Sequence, residues 1–332
     1  MLKYMKNFSG IERGFCLEKD NCRRFGASYF AFRLRKKTVG TDYDFSPVIE
    51  KTVEQIIEAA PSPVHDSIYG EWSVINAARS GVLVPQSWFD EYYANLSAAL
   101  KEADGVLSAT KNTEYSRTII AVSAIGKDPA SVAGYNLFSH YMTMDEVTKQ
   151  GLPGAIFALI ALDCKDYSLP EGSEVTREAL VDYILENEYE GGGWAIIGDY
   201  ADVDVTAQAL QALAPHTNDE RVAAAAEHAV NLLSTRQNDD GGFYAWQGIN
   251  SQTTAQVIIA LTALGINPRT DERFIKSGGW TGSFLMKYYL GDGTFCHTLG
   301  NGADAMATDQ CLQALISLEL SDNGGGAFYN FA

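Results

Sequence analysis

The chain has 332 residues, 46% of them hydrophobic, and a formal net charge of −17. That composition supplies a large core. No apolar run approaches the length of a membrane span, and so acidic a body repels phosphate backbones, which sets nucleic acid aside as a partner.

The charge is uneven along the chain. Residues 1–37 hold ten Lys or Arg against three Asp or Glu, which leaves the remainder at −24. Residues 1–40 are read as a basic leader or disordered N-terminal extension, with an arm docking on the acidic body as the alternative. Their one apolar stretch, 25–32, is short for a secretory signal and runs into Arg33-Leu-Arg-Lys-Lys37, not into a small-residue cleavage site. Residues 41–332 carry one repeating pattern. Faint copies come first, at Trp72-Ser-Val-Ile-Asn-Ala-Ala-Arg79, at Ser116-Arg-Thr-Ile-Ile-Ala-Val122 and at Ile156-Phe-Ala-Leu-Ile-Ala-Leu162. Three strong ones follow, each a Gly- and aromatic-rich turn leading to a helix that opens on Thr-x-Gln: Gly193-Trp194 with Thr206-Ala-Gln208, Gly242-Phe243 with Thr254-Ala-Gln256, and Gly293-Thr-Phe295 with Thr308-Asp-Gln310.

Self-similarity at intervals of about two helices with their connections decides the architecture, because such a unit cannot bury its apolar face alone. The repeated helices are apolar on nearly every face; the stretches between them, 85–102, 176–188, 219–236 and 274–289, are more polar and amphipathic. The expectation is an all-α (α/α)6 toroid of six helical hairpins, with an inner and an outer ring. Five cysteines at scattered spacings build no disulfide framework, and no motif calls for a metal or other cofactor.

The sharpest candidate for chemistry is Asp202-Val-Asp204-Val-Thr206. Four residues before the reference Thr stand Asp202, Asn250 and Asp304, all suited to helix N-caps. Two residues before it stand Asp204, Gln252 and Met306, so Asp204 lacks that shared structural explanation. A carboxylic acid at the mouth of an apolar cavity can protonate an alkene or epoxide, whereas capping or polar lining is the plainer role. Glu114 and Arg117, three apart, suit a local ion pair or a polar contact at the mouth, as do Glu71, Arg79 and Tyr115. Trp72, Trp194, Phe243, Tyr244, Trp246 and Phe295 recur in the turns before inner helices, where they lock the turn or line the mouth.

Gly-Gly-Trp or Gly-Gly-Phe before a helix opening on Asp-x-Asp-x-Thr-Ala resembles the terpenoid cyclase and protein prenyltransferase α/α toroid superfamily, and Gln237-Asn-Asp-Asp-Gly-Gly-Phe243 is similar to the Gln/Trp repeats of squalene cyclases. The resemblance implies Asp204 as the proton donor of an Asp-x-Asp-Asp motif whose last carboxylate is here Val205. Further stretches, among them Gly70-Glu-Trp-Ser-Val, Lys111-Asn-Thr-Glu-Tyr-Ser-Arg117, Gln150-Gly-Leu-Pro-Gly-Ala-Ile-Phe and Asn250-Ser-Gln-Thr-Thr-Ala-Gln, are similar to the prenyltransferase-like toroid domain of Gram-positive bacterial surface proteins, a fold like the α-barrel of cobalamin carriers. That likeness implies an extracellular or cell-surface location, with the cytoplasm as alternative because no clear signal peptide is present, and a small apolar ligand, a cobalamin-like ligand or a protein partner. The zinc of protein prenyltransferases would need Asp309, Cys311 and a His downstream; no His follows Cys311, and His297 precedes it.

Two readings follow, a non-catalytic binding module and a class II-type isoprenoid cyclase acting through Asp204. The module's site comprises Asp204, Trp194, Asp202, Thr206, Trp246, Asn250, Gln252 and Asp304. A carbohydrate-active α/α barrel using Glu71 or Asp204 is a weaker third, since nothing fixes the carboxylate separation.

Overall fold

Apolar helices with no polar stripe must be packed on all sides, and six such helices form the interior of the computed structural model, which describes residues 43–245 and 248–331. The basic segment 1–40, apart from its implications for charge, and Trp246 lie outside the described residues. The helices belong to one unit spanning Val39–Ala332. In chain order they are α1 (Ser46–Ala59), α2 (Glu71–Arg79), α3 (Gln86–Glu102), α4 (Asn112–Ala124), α5 (Met144–Val147), α6 (Leu152–Asp163), α7 (Arg177–Glu186), α8 (Val203–Leu213), α9 (Glu220–Arg236), α10 (Ser251–Ala263), α11 (Thr281–Leu285) and α12 (Ala305–Asp322).

The even-numbered helices make the inner ring. Each packs on the next, α2 on α4, α4 on α6 and so on to α10 on α12, and α12 packs back on α2. The array is therefore a closed toroid, not an open solenoid. The outer members are more varied than the sequence suggests. Helices α3, α7 and α9 fall where amphipathic segments were expected. The expected helix 274–289 does not form: a two-stranded hairpin, Ile275–Lys276 with Gly279–Trp280, takes its first half, and only Thr281–Leu285 is α-helical. Ser277-Gly278-Gly279 breaks the helix there, since glycines favour the turn and cost helix stability. Between α4 and α6 the outer position is filled by 3-10 turns and the four-residue α5.

The repeated signature has a concrete cause. The strong inner helices start three residues before the reference Thr, not on it: Asp202, Asn250 and Asp304 are their N-caps, accepting from the backbone N–H groups of Val205 (3.0 Å), Thr253 (2.9 Å) and Ala307 (2.7 Å). Such caps satisfy donors that the first helical turn leaves unpaired. The Thr one turn in then clasps the aromatic turn. Thr206 Oγ1 accepts from Trp194 N at 3.0 Å, and Thr308 Oγ1 from Phe295 N at 3.0 Å. Trp194 is fully buried, and its indole N–H donates to Ile184 O at 2.7 Å, which ties the turn to α7. Gly193 must be glycine: its φ is +81°, and a Cβ would stand 2.7 Å from Thr206 Oγ1.

The seam that closes the ring is polar. Asp309 of α12, 4% exposed, accepts from Ser73 Oγ at 2.9 Å to each carboxylate oxygen and from Asn76 Nδ2 at 3.1 Å, while Asn76 Nδ2 also donates to the Asp309 carbonyl at 2.9 Å. Ser46 Oγ, at the start of α1, donates to Glu319 Oε1 at 2.8 Å.

Candidate functional site at the mouth of the toroid

The N-terminal ends of α8, α10 and α12 meet at one rim. Asp204 sits in the first turn of α8, half-buried, facing the first turn of α10. Its Oδ2 lies 3.3 Å from Thr253 Oγ1, but that hydroxyl has one hydrogen and a nearer acceptor in Asn250 Oδ1 at 3.1 Å. Asp204 Oδ1 is buried with no hydrogen-bond partner. Burial, reinforced by the negative charge of Asp202 and only partly offset by Thr253, pushes the Asp204 carboxyl up to about 6. The group is thus a carboxylic acid in mildly acidic solution and a carboxylate above neutrality.

Its neighbours divide by accessibility. Trp194 and Thr206 are fully buried and use their polar groups on each other and on Ile184, so they build the wall beneath the rim. Asp202, Asn250 and Asp304 spend side-chain oxygens on capping. Gln252 is half-buried, and its Oε1 pairs with His297 Nδ1. Met306 is 64% exposed, as are most of Ile196, Ile197, Tyr200 and Tyr244 in the turns feeding α8 and α10. The groups left to meet a ligand at this rim are therefore Asp204, Gln252, His297 and the apolar side chains around them. Val205, where the cyclase motif has its last aspartate, is 7% exposed and packs into the core.

Further along the inner wall the helices present amides. Gln211 of α8 donates through Nε2 to Gln256 Oε1 of α10 at 2.9 Å, and Gln256 Nε2 donates to Gln310 Oε1 of α12 at 3.1 Å. Across the ring, Trp72 of α2 and Phe157 of α6 pack with ring centroids 5.9 Å apart. Helices α2 and α6 are separated by α4, so these two side chains reach toward each other over the bore. Sequence reading missed the amide belt. The Thr-x-Gln register aligns Gln208, Gln256 and Gln310, whereas the observed bond uses Gln211, one turn deeper.

A second polar cluster lies where α2 and α4 begin. Glu71, 1% exposed, meets His65 Nδ1 at 2.7 Å, Tyr92 OH at 3.2 Å and Arg117 Nε at 3.2 Å, and Arg117 also pairs with Asp66 at 3.1 Å and with Glu114. Burial raises the Glu71 carboxyl, but the His65 hydrogen bond and the Arg117 charge outweigh it and hold the group below its ordinary value. Glu114 moves the other way, raised mainly by burial despite Arg117. Glu114 with Arg117 is thus one edge of a six-residue network that locks the loop before α2 to α4. Tyr115 is buried and receives the backbone N–H of Leu107 on its hydroxyl, while Arg79 lies at the far end of α2, bonded to Ala327 O.

The zinc-type residues are dispersed. Asp309 faces α2, Cys311 is buried with its thiol pushed well up by desolvation, and His297 pairs with Gln252. Among the described residues, no helix is long and apolar enough to cross a membrane.

Residues 192–310, from the turn before α8 into α12, match the family model of the squalene-hopene cyclase C-terminal domain. No curated protein matches the chain. The closed ring of six inner helices has the architecture of the terpenoid cyclase- and prenyltransferase-like α/α toroids, and this match over residues 192–310 supports a likeness to that superfamily.

Proposed function

We propose that this toroid is a non-catalytic binding module that holds a small apolar molecule, a cobalamin-like molecule or a protein segment at the rim formed by α8, α10 and α12. The observation that carries this reading is the belt of amides from Gln211 through Gln256 to Gln310, with Trp72 and Phe157 meeting over the bore. A cyclase guides a carbocation along an apolar tunnel whose aromatic faces stabilise positive charge. Amide oxygens on that wall would instead trap the cation or take its proton. Asp204, Gln252 and His297, bordered by exposed Met306 and Tyr244, suit a ligand with an apolar face and a few hydrogen-bonding groups. A working place at the cell surface of a Gram-positive bacterium rests on sequence resemblance alone.

The class II cyclase is kept as a second reading by one feature, the unpartnered Oδ1 of an Asp204 carboxyl raised to about 6, which would keep a proton in the mouth below that pH. The two readings separate on incubation with squalene and with geranylgeranyl diphosphate, with product analysis at pH 5 and 8 and Asp204→Asn as control. The module reading expects no cyclised product from either protein. A product made by the native chain and lost in Asp204→Asn would overturn it.

A further inference from the structure

The base of the toroid, opposite the Asp204 rim, holds a cavity of about 330 Å³. It opens among the C-terminal ends of three inner helices, with walls from Ile160, Ala212, Pro215 and Ala263, so its body is apolar and its side chains are short. The segment 327–331 closes one flank. That segment is fixed at three points: Arg79 Nη2 donates to Ala327 O at 3.2 Å, Gln313 Nε2 to Tyr329 OH at 2.6 Å, and Phe331 N to Cys164 O at 2.8 Å.

Charged and nucleophilic groups at the edge are already spent. Asp163 Oδ1 accepts from Arg177 Nε at 2.5 Å, and its Oδ2 pairs with His216 Nε2 at 2.6 Å. Cys164 beside it is buried, its thiol is raised to about 12 by desolvation, and its Sγ donates to Ala161 O at 3.3 Å, so it supplies no thiolate. Tyr329 and Gln211 each bring a polar valence to the lining. Tyr329 OH accepts from Gln313 and keeps its own hydrogen to give. Gln211 uses its Nε2 on Gln256, which leaves Oε1 to accept.

We propose that this cavity binds a compact neutral molecule carrying one hydroxyl on an apolar body, the hydroxyl accepting from Tyr329 and donating to Gln211 Oε1. An apolar cavity of about 150 Å³ suffices for benzene. The larger space here takes a hydrocarbon body of roughly ten carbon atoms within the usual range of ligand pockets. This site shares Gln211 with the amide belt but lies at the opposite end of the toroid from the Asp204 rim, and its fate does not decide that of the binding module.

The test is a titration of the full chain with phenol, benzene and benzoate, followed by amide NMR. Phenol is expected to shift the resonances of Gln211, Ala212 and Ala263 saturably, with benzene at the same place about a hundredfold weaker and benzoate without effect, each of the two hydrogen bonds being worth about a factor of ten. Tyr329→Phe should weaken phenol about tenfold and leave benzene unchanged. Ala263→Phe should remove both by filling the space; if that variant fails to fold, Tyr329→Phe, which deletes a single hydroxyl, carries the test. Phenol binding no tighter than benzene, shifts scattered outside the cavity, benzoate binding as well as phenol, or a Tyr329→Phe effect equal for both aromatics would each overturn the proposal.

Discussion

Replacing Asp309 with asparagine isolates the electrostatic cost of closing the ring. In the folded protein this carboxyl lies between α12 and α2, and burial raises it from 3.8 to about 7 against the opposing hydrogen bonds of Ser73 and Asn76. Between those two values the folded state binds a proton that the unfolded state has released, so this site's contribution to stability falls as pH rises from about 4 to about 7 and is level above that. At about 1.4 kcal/mol per unit, the shift amounts to roughly 4 kcal/mol. Asparagine keeps the shape without titrating, and Asn76 Oδ1, buried and unpartnered, stands ready to accept from the new amide. Denaturant unfolding of both proteins at pH 4, 5, 6, 7 and 8 should therefore show the variant gaining on the native chain steadily up to about pH 7, then holding a constant advantage. A difference in stability that does not change with pH would refute the reasoning.

Glu71→Gln removes the carboxylate shared by His65, Tyr92 and Arg117 and should cost about 3 kcal/mol at pH 7, as for other broken buried pairs. Because the Glu71 carboxyl is held below its ordinary value of 4.5, its contribution is present above that pH and fades as pH falls through the folded value, so the gap between variant and native protein should narrow in acid. Gly242→Ala puts a Cβ 2.3 Å from the ring of buried Phe284 and should cost about 2 kcal/mol by denaturant melt, whereas Gly191→Ala, with nothing within 4 Å, should stay within about 0.5 kcal/mol of the native chain. Trp194→Phe deletes the indole N–H that reaches Ile184 O and leaves space in the core, for a loss of about 2 to 3 kcal/mol read from the same melts.

The ring and its strongest units were legible because backbone demands recur with the fold. A helix start needs an acceptor, so Asx stands at 202, 250 and 304; an aromatic turn needs a clasp, so Thr stands at 206 and 308. The weaker half was less readable because its starts slide against that register: α2 is preceded by Gly70 and α6 by Gly151, where no side chain caps the helix. The outer position between α4 and α6 and the hairpin at 275–280 escaped notice for the opposite reason, that they break the repeat. Ser277-Gly278-Gly279 was the available signal. At the site, the accessible neighbours of Asp204 could not be separated from the buried ones by spacing, since Trp194 and Gln252 occupy equally suggestive positions and only packing distinguishes them. Glu71 joins Arg117 because α2 abuts α4, and Gln211 joins Gln256 because α8 packs against α10. Both facts belong to tertiary geometry.

The Ser73–Asp309 contact spans 236 residues of chain. During synthesis, α2 emerges long before its last neighbour exists, and the loop-closure entropy of joining them is offset only once α12 arrives. What the nascent chain leaves waiting at that junction is a hydroxyl and an amide, which water can satisfy meanwhile. An apolar flank held open for as long would invite association with other unfinished chains. The acid group that weakens the finished protein near neutral pH is thus part of a closure that a half-made molecule can safely defer.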